Sequence, residues 1–373
     1  MRLSDFSFKW RFLWGALFFC VFVYGFGVGR YMWWPAGLLL EAKKQLDSQE
    51  PSKKIDPLGE MLKYAFVDPL YGDALLYPPI KSFSEVNAAT ESNFIAVKKL
   101  SDSYMDISLK DWSSLDIAGK PVVRVDFAFR GRDYAAYAYG RVPEQCGVGK
   151  ASLIIPGTGH NQSTAIYAND QSNYHYGALQ IAQAYGGANF VLVKPNEDFL
   201  AWHNGKHKLG MNFYVNWYLN NGGSYSYSYI VQSMAFMKFM KSCFSETALV
   251  GLSQGGNAVL LNAIQSKPDY ALVFSGYTVM DEVSWSGFNQ IIISGINEFL
   301  SPDKLSAHLI DSSTQYLFSW GEDEIGYYGV EAREKKTCHY LAENKNINCA
   351  SHPGGHAFSV DVAAGFLSRK GSL

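Results

Sequence analysis

From residue 151 onward the chain is punctuated by short, continuous apolar runs, each closed by glycine, proline or a polar residue. They are ASLIIPG (151–157), NFVLVKP (189–195), TALVGLS (247–253), YALVFSG (270–276), QYLFSWG (315–321) and INCASHP (347–353). Apolar runs without polar alternation mark strands covered on both faces, and the segments between them have helical character. The pattern predicts an α/β fold: a three-layer, mostly parallel sheet with helices on either side. Ahead of these runs, PVVRVDFAFR (121–130) and DYAAYAYGRV (133–142) alternate and are expected to pair antiparallel. Functional groups in such sheets gather beyond the carboxyl ends of the strands, so the strand ends are where chemistry is sought.

Charge narrows the classes of partner. A formal net charge of −2 over 373 residues provides no basic face for phosphates, so nucleic acid is not an expected partner. His160, His175, His203 and His207 lack metal-ligating spacing, and no cysteine–histidine pattern suggests a zinc site. They read as surface or pocket residues, and neither metal nor organic cofactor is expected. Residues 12–29, FLWGALFFCVFVYGFGVG, run eighteen positions without a charge, with Trp10, Trp14, Tyr31, Trp33 and Trp34 flanking them. That suits a transmembrane anchor with interfacial aromatics. No small-x-small cleavage site favours a removable signal peptide. Arg2, Lys9 and Arg11 against Asp5 leave the preceding side positive, which places the N-terminus in the cytoplasm and the remaining chain outside.

The expected organisation is therefore a cytoplasmic stretch (1–11), the anchor (12–29), a stalk and lead-in (30–118) and a catalytic domain (119–373). Two aromatic-rich insertions within that domain, 196–230 and 277–314, could act as caps. Trp202, Tyr225, Tyr227 and Trp285 are candidates to line a pocket for a sugar ring or acyl chain, or else belong to an ordinary core. Beyond Cys20 in the anchor, Cys146, Cys243, Cys338 and Cys349 form an even set that permits two disulfides. Cys338 and Cys349 are the first expected pair; buried free thiols are the alternative.

The chemistry concentrates at three strand ends. GLSQGG (251–256) places Ser253 between glycines on a strand-to-helix turn, with NAVLLNAI (257–264) suited to the helix. A serine so placed exposes its hydroxyl at the sheet edge and puts the next amide at a helix N-terminus. A serine hydroxyl needs a base, and the base an orienting group. FSWGEDE (318–324) offers Asp323 and Glu324, and SHPGGHAF (351–358) offers His352 and His356. The order serine, acid, histidine is that of the α/β-hydrolases.

On these motifs the chain from about 119 to 370 resembles the α/β-hydrolase superfamily, which mostly contains serine hydrolases. The resemblance implies Ser253 as nucleophile, His356 as general base and Asp323 as its orienting acid. Glu324 is the nearest substitute, three residues beyond Gly321, and His352 is the substitute base. Oxyanion donors would be the amides of Gln254 and, from PGTGHNQ (156–162), Thr158. Pro156 before Gly157 departs from the family's common His-Gly form there. The implied activity is cleavage of a carboxylic ester through an acyl-serine intermediate. The substrate would be a small molecule, an envelope lipid or an acylated glycan, reached by a membrane-tethered enzyme. A serine peptidase on the same fold and an inactive anchored binding protein are the alternatives.

Overall fold

Along each central strand, successive buried side chains fall into two separate apolar clusters, one per sheet face. Leu153 and Ile155, Leu249, Ala271 and Val273, and Tyr316 and Phe318 join one cluster. Ile154, Ala248 and Val250, Leu272 and Phe274, and Leu317 join the other. That is the two-residue repeat of a strand buried on both sides. The computed structural model describes residues 103–369, apart from 118, 130–131, 145, 195–196, 198–214, 216–223, 277–301, 311, 325–337, 339–340 and 342–343. The chain divides into two units, Met1–Leu62 and Lys63–Leu373, and every described residue lies in the second.

The described elements run in the order β1 (Ile107–Ile117), β2 (Lys120–Phe129), β3 (Arg132–Tyr139), β4 (Lys150–Ile155), α1 (Gln162–Tyr167), α2 (Ala178–Tyr185), β5 (Ala188–Leu192) and α3 (Tyr225–Cys243). There follow β6 (Glu246–Leu252), α4 (Gln254–Ser266), β7 (Tyr270–Phe274), α5 (Pro302–Ile310), β8 (Gln315–Gly321), β9 (Ile347–His352) and α6 (Val360–Ser368). The strands form one sheet ordered β1-β2-β3-β5-β4-β6-β7-β8-β9. The β1, β2 and β3 edge is antiparallel, as is its junction to β5, and the pairs from β5 through β9 are parallel. Helices α3, α4 and α5 supply the first cluster, whereas α2 and α6 supply the second. The expected α/β, mostly parallel, three-layer architecture is what the chain adopts.

Two expected boundaries move. Residues 107–117, expected in the stalk, form β1 and pair with β2 along their whole length. Only Ile107 and Ile117, at its two ends, are fully buried, and the polar, exposed middle disguised an edge strand. The sheet domain therefore begins before 119; Ser103 is already tied to Tyr227, hydroxyl to hydroxyl, at 2.9 Å. Both expected caps also end in core helix. Tyr225 and Tyr227 lie in α3, each 2% exposed, so they are core residues rather than the lining of an open pocket. Leu305 and Leu309 of α5 are likewise buried. Trp202 and Trp285 lie outside the described residues, as do most of both caps and the anchor at 12–29. Among the described residues no helix is long and apolar enough to cross a membrane.

Both disulfides form: Cys338–Cys349, the pair expected first, and Cys146–Cys243. The second fastens the β3–β4 connection to the end of α3, where Gly147 N–H also donates to Cys243 O at 2.8 Å. It spans 97 residues. Constraint of the unfolded chain by so long a loop is worth about 4 kcal/mol. The double variant C146S/C243S is expected to melt roughly 10 °C lower than the parent by calorimetry. An unchanged melting temperature would show that the bridge constrains nothing.

Candidate active site

The turn between β6 and α4 holds Ser253 at φ 61°, ψ −125°. A non-glycine residue there is strained and persists only where its surroundings enforce it. Ser253 N–H donates to Phe274 O at 2.9 Å, and its carbonyl accepts from Asn257 N–H at 3.0 Å. Its hydroxyl takes no part in capping the helix. The flanking glycines are steric necessities. A Cβ on Gly251 would sit 2.4 Å from Gly255 O, and one on Gly255 would sit 2.0 Å from Ile155 O. Gly255→Ala must therefore push β4 and α4 apart, and is expected to destabilise the fold by about 3 kcal/mol or more. A melting temperature within a degree or two of the parent would contradict this packing.

Of the two adjacent carboxylates, it is Glu324 that contacts His356. Its Oε1 meets His356 Nδ1, while its Oε2 accepts from Ser275 Oγ at 2.6 Å and from Gly321 N–H at 3.1 Å. Burial alone would raise the Glu324 pKa, but the bonds from His356, Ser275 and Gly321 outweigh it and hold the carboxyl below its usual range. Asp323, the expected acid, is exposed, and its N–H donates to Gly354 O at 2.9 Å. The tight turn after Gly321 points the third residue inward and the second outward. His352, the substitute base, is buried at the end of β9 with Nδ1 beside Pro353 O at 3.1 Å. His356 is the histidine that Glu324 holds.

These groups surround the end of β6. Phe274 O, which receives the Ser253 amide, precedes Ser275, which binds Glu324. From Glu324, His356 reaches across to stack on Tyr174 with ring centroids 5.9 Å apart. The Tyr174 hydroxyl in turn donates to Thr158 O, in the loop after β4. The end of β6 that carries Ser253 lies, in strand order, between β4 and β8, whose following loops the contacts of His356 connect through Tyr174 and Glu324. Phe358 fixes the histidine loop from below, packing on Phe274 at 5.0 Å.

The loop after β4 is clamped by Tyr229 and Lys194, which sequence reasoning passed over, and by His175, which was expected at the surface or in a pocket and is buried. Tyr229 donates its hydroxyl to Pro156 O at 3.0 Å. Gly157 N–H donates to His175 Nε2 at 2.7 Å, and Lys194 Nζ donates to Gly157 O at 2.6 Å. Lys194 Nζ also donates to Gln254 Oε1 at 3.0 Å. His175 must be neutral, with its proton on Nδ1 toward Gln162 and Asn173. Its burial, then the nearby charges of Lys194 and His356, hold its pKa well below the usual value. A lysine closing an apolar strand run, immediately before Pro195, was the one available signal for Lys194.

No protein-family model matches the chain, and comparison with curated protein sequences finds no match. Solved structures similar in chain trace include Est1E from Butyrivibrio proteoclasticus, at 14% identity, covering 70% of this chain and 98% of that one, TM-score 0.38. A carbohydrate esterase family 15 glucuronoyl esterase from Caldicellulosiruptor kristjansonii is 12% identical, covering 73% and 84%, TM-score 0.40. A puromycin-hydrolyzing peptidase from Mycobacterium tuberculosis is 14% identical, covering 72% of this chain and 39% of that one, TM-score 0.42. None of these carries a substrate over to this chain.

Proposed function

We propose that this chain is a serine hydrolase of the α/β-hydrolase type that cleaves a carboxylic ester. Ser253 attacks the ester carbonyl while His356 takes its proton. His356 then returns the proton to the departing alcohol, and water hydrolyses the acyl-serine by the reverse roles. Glu324 orients His356 and offsets the charge of the imidazolium. The amides of Gln254 and Thr158 receive the oxyanion. The contact between the Ser253 hydroxyl and His356 is expected to close around substrate, as such contacts commonly do.

The observation that carries this reading is the strained Ser253 on its β6–α4 turn, at the end of the sheet where a buried glutamate holds a histidine. Two disulfides agree with an oxidising compartment. With the uncharged run at 12–29, they support a tethered enzyme whose substrate is an envelope lipid or acylated glycan. The test is hydrolysis by the full-length chain of p-nitrophenyl acetate and butyrate beside the matching anilides. Turnover of the esters at least tenfold above the anilides is expected. Preference for the anilides would replace the esterase by a peptidase. Turnover of neither class would remove the hydrolase reading.

A further inference from the structure

Lys194 stands fully buried at the end of β5, and the triad chemistry has no use for it. A buried ammonium is disfavoured unless its bonds repay desolvation, so its partners matter. They are Gly157 O at 2.6 Å and Gln254 Oε1 at 3.0 Å, with the rings of Tyr225 and Tyr229 at 6.0 and 5.6 Å. Among the described residues, the charged and titratable neighbours besides these two tyrosines are Glu197, from the segment after β5, and His175, from the loop before α2. Glu197 is itself fixed by Ser163 N–H at 2.8 Å and the Thr164 hydroxyl at 3.3 Å.

The two bonds of Lys194 reach the Gly157–Thr158 peptide and the Gln254 side chain, beside the two amides assigned to the oxyanion under the hydrolase reading. Gly157 O belongs to the peptide whose N–H is that of Thr158. In a trans peptide the two groups point in opposite directions, so a cation holding the oxygen below aims the N–H above. A charge-assisted bond to the oxygen also polarises the peptide and strengthens its N–H as a donor. The second bond holds the Gln254 side chain, so the first turn of α4 cannot rotate away from the loop after β4. We propose that Lys194, in its charged form, is the positioning residue of the oxyanion hole, fastening the Thr158 and Gln254 amides in register from beneath.

This rests on the hydrolase reading above, and its test separates the two. Burial pushes the Lys194 pKa down to about 7, with Glu197 opposing. The ammonium is present below that pH and lost as pH rises through it. For the full-length chain, kcat on p-nitrophenyl acetate should therefore carry an alkaline limb near neutrality. Lys194→Met should lower kcat on the order of 10- to 100-fold. It should leave KM within about threefold and abolish the limb. Circular dichroism checks that the variant folds, and the parent's pH profile needs no variant. A folded Lys194→Met with unchanged kcat, or a loss confined to KM, overturns the proposal, as does a parent without the limb. A parent that neither turns over ester nor reacts with a fluorophosphonate overturns the hydrolase reading and this one with it. A reactive parent with an unaffected variant overturns this one alone.

Discussion

Replacing Ser253 with alanine is expected to lower kcat for ester hydrolysis by about 10⁴- to 10⁶-fold. The nucleophile disappears, and only binding and the oxyanion donors remain. Alanine occupies the same backbone, so the strain at φ 61° stays and the melting temperature should move by no more than a few degrees. Stopped-time assays and calorimetry on the same preparation separate the two effects. A variant retaining a tenth of the parent's activity would assign the chemistry elsewhere.

The second large effect distinguishes two adjacent acids. Glu324→Ala should lower kcat by roughly 10²- to 10⁴-fold, because His356 loses the group that orients it and balances its charge. Asp323→Ala should change kcat less than twofold, since that side chain is exposed. Glu324 is held ionised, its folded pKa lying below that of the unfolded chain. Its stabilising contribution is thus present above pH about 4.3 and fades as pH falls through the folded value. Glu324→Gln should remove that contribution and flatten the acid side of a stability profile. Equal losses from Asp323→Ala and Glu324→Ala would contradict the geometry around His356.

The central sheet was legible because each strand from β4 to β8 is buried on both faces and therefore reads as an unbroken apolar run, whereas the edge strand β9 is only partly buried. Ser253 was legible for a steric reason: Gly251 and Gly255 are demanded by contacts shorter than any side chain permits. The carboxylate that contacts His356 was only half legible. Asp323 and Glu324 are neighbours in composition and spacing, and the direction of each is set by the turn after Gly321 rather than by residue type. β1 was missed because an edge strand exposes most of its side chains and resembles a polar lead-in. Tyr225 and Tyr227 resembled a binding surface because aromatic residues alternate with serine there, although every residue of that segment is buried in α3. Lys194 and His175 contact the loop after β4, far from each in sequence, and apart from the lysine that closes an apolar run before Pro195 no local pattern announces such contacts.

The most direct measurement is peptide mapping by tandem mass spectrometry after the full-length chain is treated with a fluorophosphonate. An activated serine displaces fluoride and retains the phosphonyl group, so the site of reaction is read from the modified peptide. One dominant adduct is expected, on Ser253, formed in the parent and absent from Ser253→Ala. An adduct on a different serine, or a folded parent left unmodified, would contradict it.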